Sequence, residues 1–245
     1  FTRPGVKEYE VEAEFNHEFL RHGGRFAYLP IIGSGRNGCC LHYLANDQVC
    51  REGELLLMDV AASYANYNAD MTRTIPVDGR FTPRQRDVYN AVLRVLRQCI
   101  AGLTPGKKIK DWQLESEQLV EGELVNLKLI SMRQIKEQNP DQPAFKKYFM
   151  HGCGHPIGLD VHDVGLTVQP LEAGWVMTVE PGIYIPEEGF AVRLEDDVLV
   201  TANGPVDLMA HIPVEADDIE ELMNVRRKES PGKRQKTNEV AAASR

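Results

Sequence analysis

The chain has 245 residues, 42% of them hydrophobic and 26% charged, which suits one large soluble domain or two small ones and excludes a disordered or fibrous chain. Its net charge of −8 conceals two regions, because Val225 to Arg245 holds seven basic and two acidic residues and the preceding 224 residues therefore carry −13. So acidic a body excludes a surface built for nucleic acid, whose phosphates require Lys and Arg, and the longest apolar run, Leu55 to Met58, falls far short of the roughly 18 residues a membrane span needs.

Tyr9, Ala13, Phe15 and Phe19 recur at near-helical spacing before Gly23 and Gly24, which predicts a helix over 8–20. Residues 54–63 and 69–77, rich in Leu, Val and Thr, read as strands. Thr82 as N-cap and Pro83 at the first helical position open a second helix, whose Val88, Ala91, Val92, Val95, Leu96, Cys99 and Ile100 face a core before Gly102. A third runs from about Asp111 towards Ile130, with Trp112 and its leucines in the core, and 131–150 reads as a partly structured insertion. Residues 175–185 and 190–201 are two more strands, set off by Gly174, Gly189 and Gly204. The mixture predicts an α+β fold, a curved antiparallel sheet with helices on one side, formed by residues 1–224 and followed by a basic, disordered tail over 225–245. Five cysteines without framework spacing and no secretory signal point to a reduced, cytoplasmic protein, and a start at Phe1, not Met, reads as a trimmed chain.

Two hairpins carry the chemistry. A turn centred between residues 64 and 65 places Asp59 opposite Asp70, and a turn between Glu187 and Glu188 places Glu180 opposite Glu195. Like charges facing across a strand pair are destabilising unless a cation lies between them. Between the hairpins in sequence, His151 to Asp163 holds three histidines among glycines and a proline, poor material for a helix or strand and suited to wrapping a ligand. Lone histidines are usually structural, and His17, His22 and His211 are read so. Four carboxylates with one or two imidazoles make a hard donor set that fits Mn²⁺, Co²⁺ or Mg²⁺ better than a thiolate-type zinc site, although Zn²⁺ also accepts His and carboxylate. Four negative charges match two divalent ions, the signature of a dinuclear metallohydrolase.

The order Asp59, Asp70, His155, Glu180, Glu195 resembles the five-ligand signature of the pita-bread metallopeptidases. Phe26 to Pro30 with Leu41–His42–Tyr43, then His151 to Asp163, Val179 to Tyr184 and Val192 to Asp196, resemble the aminopeptidase P and prolidase branch. The resemblance implies that Asp59 binds one metal, Asp70 and Glu195 bridge both, and His155 and Glu180 bind the other, most often as Mn²⁺. It implies catalytic roles for Glu180, as proton shuttle to the leaving amine, and for His151, His162 and Arg193. With His42, the last three would contact substrate and orient the ligands. The implied activity is that of an Xaa-Pro aminopeptidase acting on peptides with proline second, without nucleic-acid or membrane partners, in an assembly that could be a homo-oligomer. Prolidase, which cuts Xaa-Pro dipeptides with the same ligands, is the alternative. A non-catalytic peptide-binding module is a third reading, set against the presence of all five ligands. Full-length members carry an N-terminal domain ahead of this half, which the sequence as it stands does not include.

Overall fold

The computed structural model describes residues 1–165 and 168–228, the last three as backbone only. Helix α1 (Glu8–Arg21) is capped by the Glu10 carboxylate on the Lys7 amide at 2.8 Å and stops at Gly23, which takes a left-handed φ of 78°. Strands β1 (Arg25–Phe26) and β2 (Ile31–Ser34) follow, and then β3 (Leu55–Asp59), β4 (Ala62–Tyr64), β5 (Tyr67–Asn68) and β6 (Thr72–Pro76). Helix α2 (Pro83–Gly102) begins as its sequence predicts, with Thr82 Oγ1 accepting the Gln85 amide and the Gln85 side chain accepting the Thr82 amide. Helix α3 (Ile109–Asn126) ends before the expected Ile130, because Lys128 turns left-handed at φ 60° and the amides of Leu129 and Ile130 fold back onto the Leu124 carbonyl. The insertion forms only α4 (Met132–Glu137) and a short 3-10 turn over Ala144–Lys147. After it come β7 (Val176–Val179), β8 (Gly182–Ile185), β9 (Phe190–Arg193), β10 (Asp196–Leu199), β11 (Val206–Asp207) and α5 (Ala216–Lys228). Helix α5 therefore absorbs the first four residues of the expected tail, whose remainder lies outside the described residues.

Every ladder is antiparallel: β1–β4–β5, β2–β3–β6, β7–β10–β11 and β8–β9. In the second hairpin Gly182 faces Arg193 and Val179 faces Asp196, one register carried through the break between β8–β9 and β7–β10. That register sets Glu180 against Glu195, as predicted. The break falls there because Pro181 has no N–H to give and the Glu195 amide turns to the Thr72 carbonyl at 3.0 Å, joining the two hairpins.

The first hairpin differs from expectation. Asp59 faces Thr72, not Asp70, and Ser63 faces Asn68. Its two turn residues are Ala65 and Asn66, both left-handed at φ 50° and 66°, the two-residue turn whose twist matches the flanking strands. The slip is two residues. Because side chains alternate along a strand, an even slip leaves Asp70 on the same face as Asp59.

Helices α2 and α3 cover one side of the sheet. Trp112, 1% exposed, donates its indole N–H to the Cys99 carbonyl at 2.9 Å within a core that runs from Val88 and Leu96 to Met177, Val192 and Val198. A second cluster packs Val11 of α1 against Ile32, Leu56 and Val60. No helix among the described residues is long and apolar enough to cross a membrane.

Candidate metal centre

Asp70, His155 and Glu195 each bring one ligand atom to within 4.8 Å of the others. Asp70 lies between β5 and β6, and Glu195 between β9 and β10. His155 sits in the glycine-rich segment, which is stitched to β7. The His155 amide donates to Thr178 Oγ1 at 3.0 Å, the Thr178 amide to the His155 carbonyl at 2.8 Å, and the Glu180 amide to the Cys153 carbonyl at 2.8 Å. The close approach requires glycine at 154, where a Cβ would lie 2.0 Å from the Thr178 carbonyl oxygen and 3.0 Å from the Trp112 ring. Gly154→Ala should therefore lower stability by about 1–3 kcal/mol, the usual cost of overpacking. Thermal melting should report that loss, and metal titration a weaker site.

His155 Nδ1 donates to the Pro156 carbonyl at 2.9 Å, which turns Nε2 into the site. That nitrogen stands 3.6 Å from Asp70 Oδ2 and 3.7 Å from Glu180 Oε1, spacings too long for direct hydrogen bonds and open to an ion held between them. Glu180 also faces His151, with Oε2 3.7 Å from Nδ1. His162 packs its ring against His155, centroids 4.1 Å apart, and is exposed on the outer side. His42 is exposed as well, close enough for its charge to act on both His151 and His162.

Asp59 stands apart from the three-residue cluster. Its Oδ1 accepts the Tyr28 hydroxyl at 2.6 Å and its Oδ2 accepts Arg193 Nη2 at 2.6 Å, which leaves each oxygen a further lone pair for a cation. Arg193 is buried, and all three of its nitrogens have partners, since Nη1 donates to the Tyr184 hydroxyl and Nε to Thr72 Oγ1. Thr72 in turn donates to Glu195 Oε2 at 2.6 Å. Arg193 thus lies beneath the carboxylates and orients them. Its guanidinium is enclosed by the Asp59, Tyr184 and Thr72 oxygens. The Tyr184 hydroxyl reaches on to His151 Nε2 at 2.8 Å, while His151 Nδ1 donates to the Gly152 carbonyl. Tyr28, Thr72, Tyr184 and Asp197, which accepts the Asp70 amide on Oδ2 at 3.1 Å, are site residues that the sequence reading missed. Except for Tyr184 and Arg193, nine residues apart across one hairpin, their partners lie tens of residues away or more.

The electrostatics favour a cation. Burial pushes Glu180 up to about 7, with Arg193 and His155 opposing and Asp70 and Asp59 adding. Burial, then Asp70, Glu180 and Asp59, push Glu195 well up. Burial likewise raises Asp59 in spite of Arg193, with Asp70 adding. Burial and the Arg193 charge hold His151 down at about 3, a neutral ring. For His155 burial acts downward, but Asp70, the Pro156 carbonyl and Glu180 outweigh it. Carboxylates that raise one another's pKa are a site short of positive charge, and Arg193 alone does not balance four of them. Oxygen donors with one imidazole and no thiolate fit a hard divalent ion.

Paired antiparallel hairpins that seat four carboxylates and an imidazole above a buried arginine define the pita-bread class of metal-dependent hydrolases. Residues 1–202 match Metallopeptidase family M24, and the chain belongs to that family. It is 41% identical to the Xaa-Pro aminopeptidase of Escherichia coli (strain K12) over 242 residues, 93% of this chain and 54% of that protein. Identity to the Xaa-Pro aminopeptidase of Haemophilus influenzae is 42%, over 91% and 54% of the two chains. Aminopeptidase P from E. coli, solved with the inhibitor Pro-Leu, superposes with a TM-score of 0.86 at 40% identity, over 93% of this chain and 54% of the other. The chain spans about half the length of the curated relatives it matches.

Proposed function

We propose that this chain is the catalytic half of a manganese-type Xaa-Pro aminopeptidase, which releases the N-terminal residue from peptides with proline second. The observation that carries the reading is the convergence of Asp70, His155 and Glu195 within 4.8 Å, flanked by Glu180 and Asp59, on a chain 41% identical to an Xaa-Pro aminopeptidase. Asp59, Asp70, His155, Glu180 and Glu195 would hold two divalent ions, with Mn²⁺ favoured over Co²⁺ or Zn²⁺ by the oxygen-rich set, and the ions would supply Lewis-acid polarisation and an activated water. Glu180, a carboxylate beside the proposed ions and His155, would take a proton from water and return it to the leaving amine. His162 and His42, both exposed, would hydrogen-bond a peptide, and the neutral His151 is held by Tyr184 beside Glu180. Five free cysteines suit a cytoplasmic setting.

The test is hydrolysis of an Xaa-Pro-Yaa tripeptide beside the matching Xaa-Pro dipeptide after reconstitution with Mn²⁺. Release of Xaa from the tripeptide supports the reading. Cleavage of the dipeptide alone makes the protein a prolidase, and no cleavage of either, with metal bound, leaves a peptide-binding module. Asp70→Asn and Glu195→Gln should each reduce metal below the wild-type two ions per chain together with the rate, since a bridging carboxylate serves both ions. Elemental analysis checks this, and full occupancy in either variant refutes the bridging assignment.

A further inference from the structure

We propose that Glu8 is a positioning residue for substrate binding, holding from beneath helix α1 the loop that presents His42. The inference rests on the reading of His42 as a substrate contact.

Glu8 is fully buried, yet no cationic side chain is among its hydrogen-bond partners. Its Oε1 accepts the Ser34 amide at 2.7 Å and Asn37 Nδ2 at 3.1 Å. Its Oε2 accepts the Tyr43 hydroxyl at 2.8 Å and the Gln48 amide at 3.0 Å. All four donors lie between Ser34, the last residue of β2, and Gln48, a stretch that after Ser34 and the 3-10 turn Gly35–Cys39 has no helix or strand. A buried carboxylate is costly unless it is hydrogen-bonded, and here four donors satisfy it. What the carboxylate provides, and an apolar group does not, is a fixed point that gathers four donors from one irregular loop.

Helix α1 grips the same loop a second time. Asn46, left-handed at φ 45° and buried, accepts the Ile32 amide on Oδ1 at 3.0 Å and donates Nδ2 to Glu12 Oε2 and the Pro30 carbonyl, both at 2.9 Å. His42 stands exposed on the loop between the Asn37 and Tyr43 attachments. Its neighbours Leu41 and Tyr43 pack on the cluster of Ile31, Leu57, Tyr184 and Ala191, and Tyr184 is the residue that bonds His151 and Arg193. A shift of the loop therefore moves His42 relative to the floor of the site.

The test compares wild type, Glu8→Gln, His42→Ala and the double variant. Glutamine keeps the shape but sets an amide N–H₂ against donors that cannot reverse, Ser34 N–H on one side or Gln48 N–H on the other. Glu8→Gln should lower kcat/KM about ten- to hundredfold with metal content unchanged, the usual size of an orienting partner's effect. In the His42→Ala background the further loss should shrink below about twofold, since the two residues act through one contact. Tyr43→Phe, which removes one bond at the loop's edge, should give a smaller loss with the same dependence on His42. Amide hydrogen exchange should quicken over residues 34–48 in Glu8→Gln and stay unchanged in α2 and α3. An equal loss in both backgrounds, or unchanged exchange over 34–48, overturns the inference. If wild type fails to cleave any Xaa-Pro peptide, the proposed activity falls, and the exchange comparison still decides whether Glu8 holds the loop.

Discussion

Exhaustive chelation should abolish hydrolysis, and Mn²⁺ or Co²⁺ should restore it. Among the described residues the Asp70, His155 and Glu195 cluster holds no serine or cysteine nucleophile, so on the proposed reading the attacking water would be activated by metal that Asp59, Asp70, His155, Glu180 and Glu195 would hold. Chelation should also leave a mark on stability. Four carboxylates held close together are a repulsive set, and a bound cation that the unfolded chain holds poorly contributes about 2.7 kcal/mol at a hundredfold excess over its Kd. The pH dependence of the metal-free chain is set by Glu180 and Asp197, whose pKa values move from 4.5 and 3.8 to about 7 on folding and together outweigh the opposite contribution of His151, held down at about 3. A carboxyl group whose folded pKa is raised lends stability by holding its proton, so that contribution is complete below the unfolded value and lost as pH rises through about 7. The metal-free protein should melt at higher temperature at pH 5 than at pH 8, and added metal should reduce that difference. Activity that survives chelation with no metal by elemental analysis would refute the metal-dependent mechanism, and a flat pH profile for the metal-free melting temperature would refute the burial of uncompensated carboxylates.

Much of the candidate site was legible because its carboxylates lie in or beside hairpin strands, where the side-chain period is two. Glu180 and Glu195 could be paired from sequence, since the Glu187–Glu188–Gly189 turn fixes the register that the ladders on either side carry, Gly182 with Arg193 and Val179 with Asp196. The pairing of Asp59 slipped by two because Ala65–Asn66 lacks the glycine that normally marks a two-residue left-handed turn, and alanine at φ 50° is not a residue one would place there. The face survived the error, so Asp70 still turns to the same side as Asp59. The supporting network was illegible for a different reason. Tyr28 to Asp59, Thr72 to Glu195 and Arg193 to Asp59 span 31, 123 and 134 residues, and hydrogen bonds of that range leave no periodicity in a single sequence. Glu8 carried no signal either, because a glutamate in the first helical turn is what the helix dipole alone would favour. Arg193 was found by its neighbours in sequence, and only the structure shows that it is buried against Asp59, Tyr184 and Thr72.

His162→Ala should keep its metal and its melting temperature and lose most of its kcat. His162 is outside the Asp70, His155 and Glu195 cluster, and its ring lies against His155 with one side exposed. Burial, and then the neighbouring His155 charge, hold its pKa below the usual histidine value, so near neutral pH the ring is uncharged and keeps one N–H to donate. A donor fixed at the rim is suited to the scissile carbonyl oxygen, where negative charge grows as the carbonyl is attacked. The bond is stronger in the transition state than in the bound substrate, so its loss falls on kcat more than on KM. Loss of one such preorganised donor typically costs about 10²–10³ in kcat, or roughly 3–4 kcal/mol. Two other outcomes are distinct. A ring that only packs the loop predicts a lowered melting temperature with activity per folded molecule preserved. A ring that holds His155 in place predicts loss of metal before loss of turnover. Metal content, melting temperature and kcat measured on one preparation separate the three, and a metal-depleted variant would move His162 from the substrate side of the site to the support of His155.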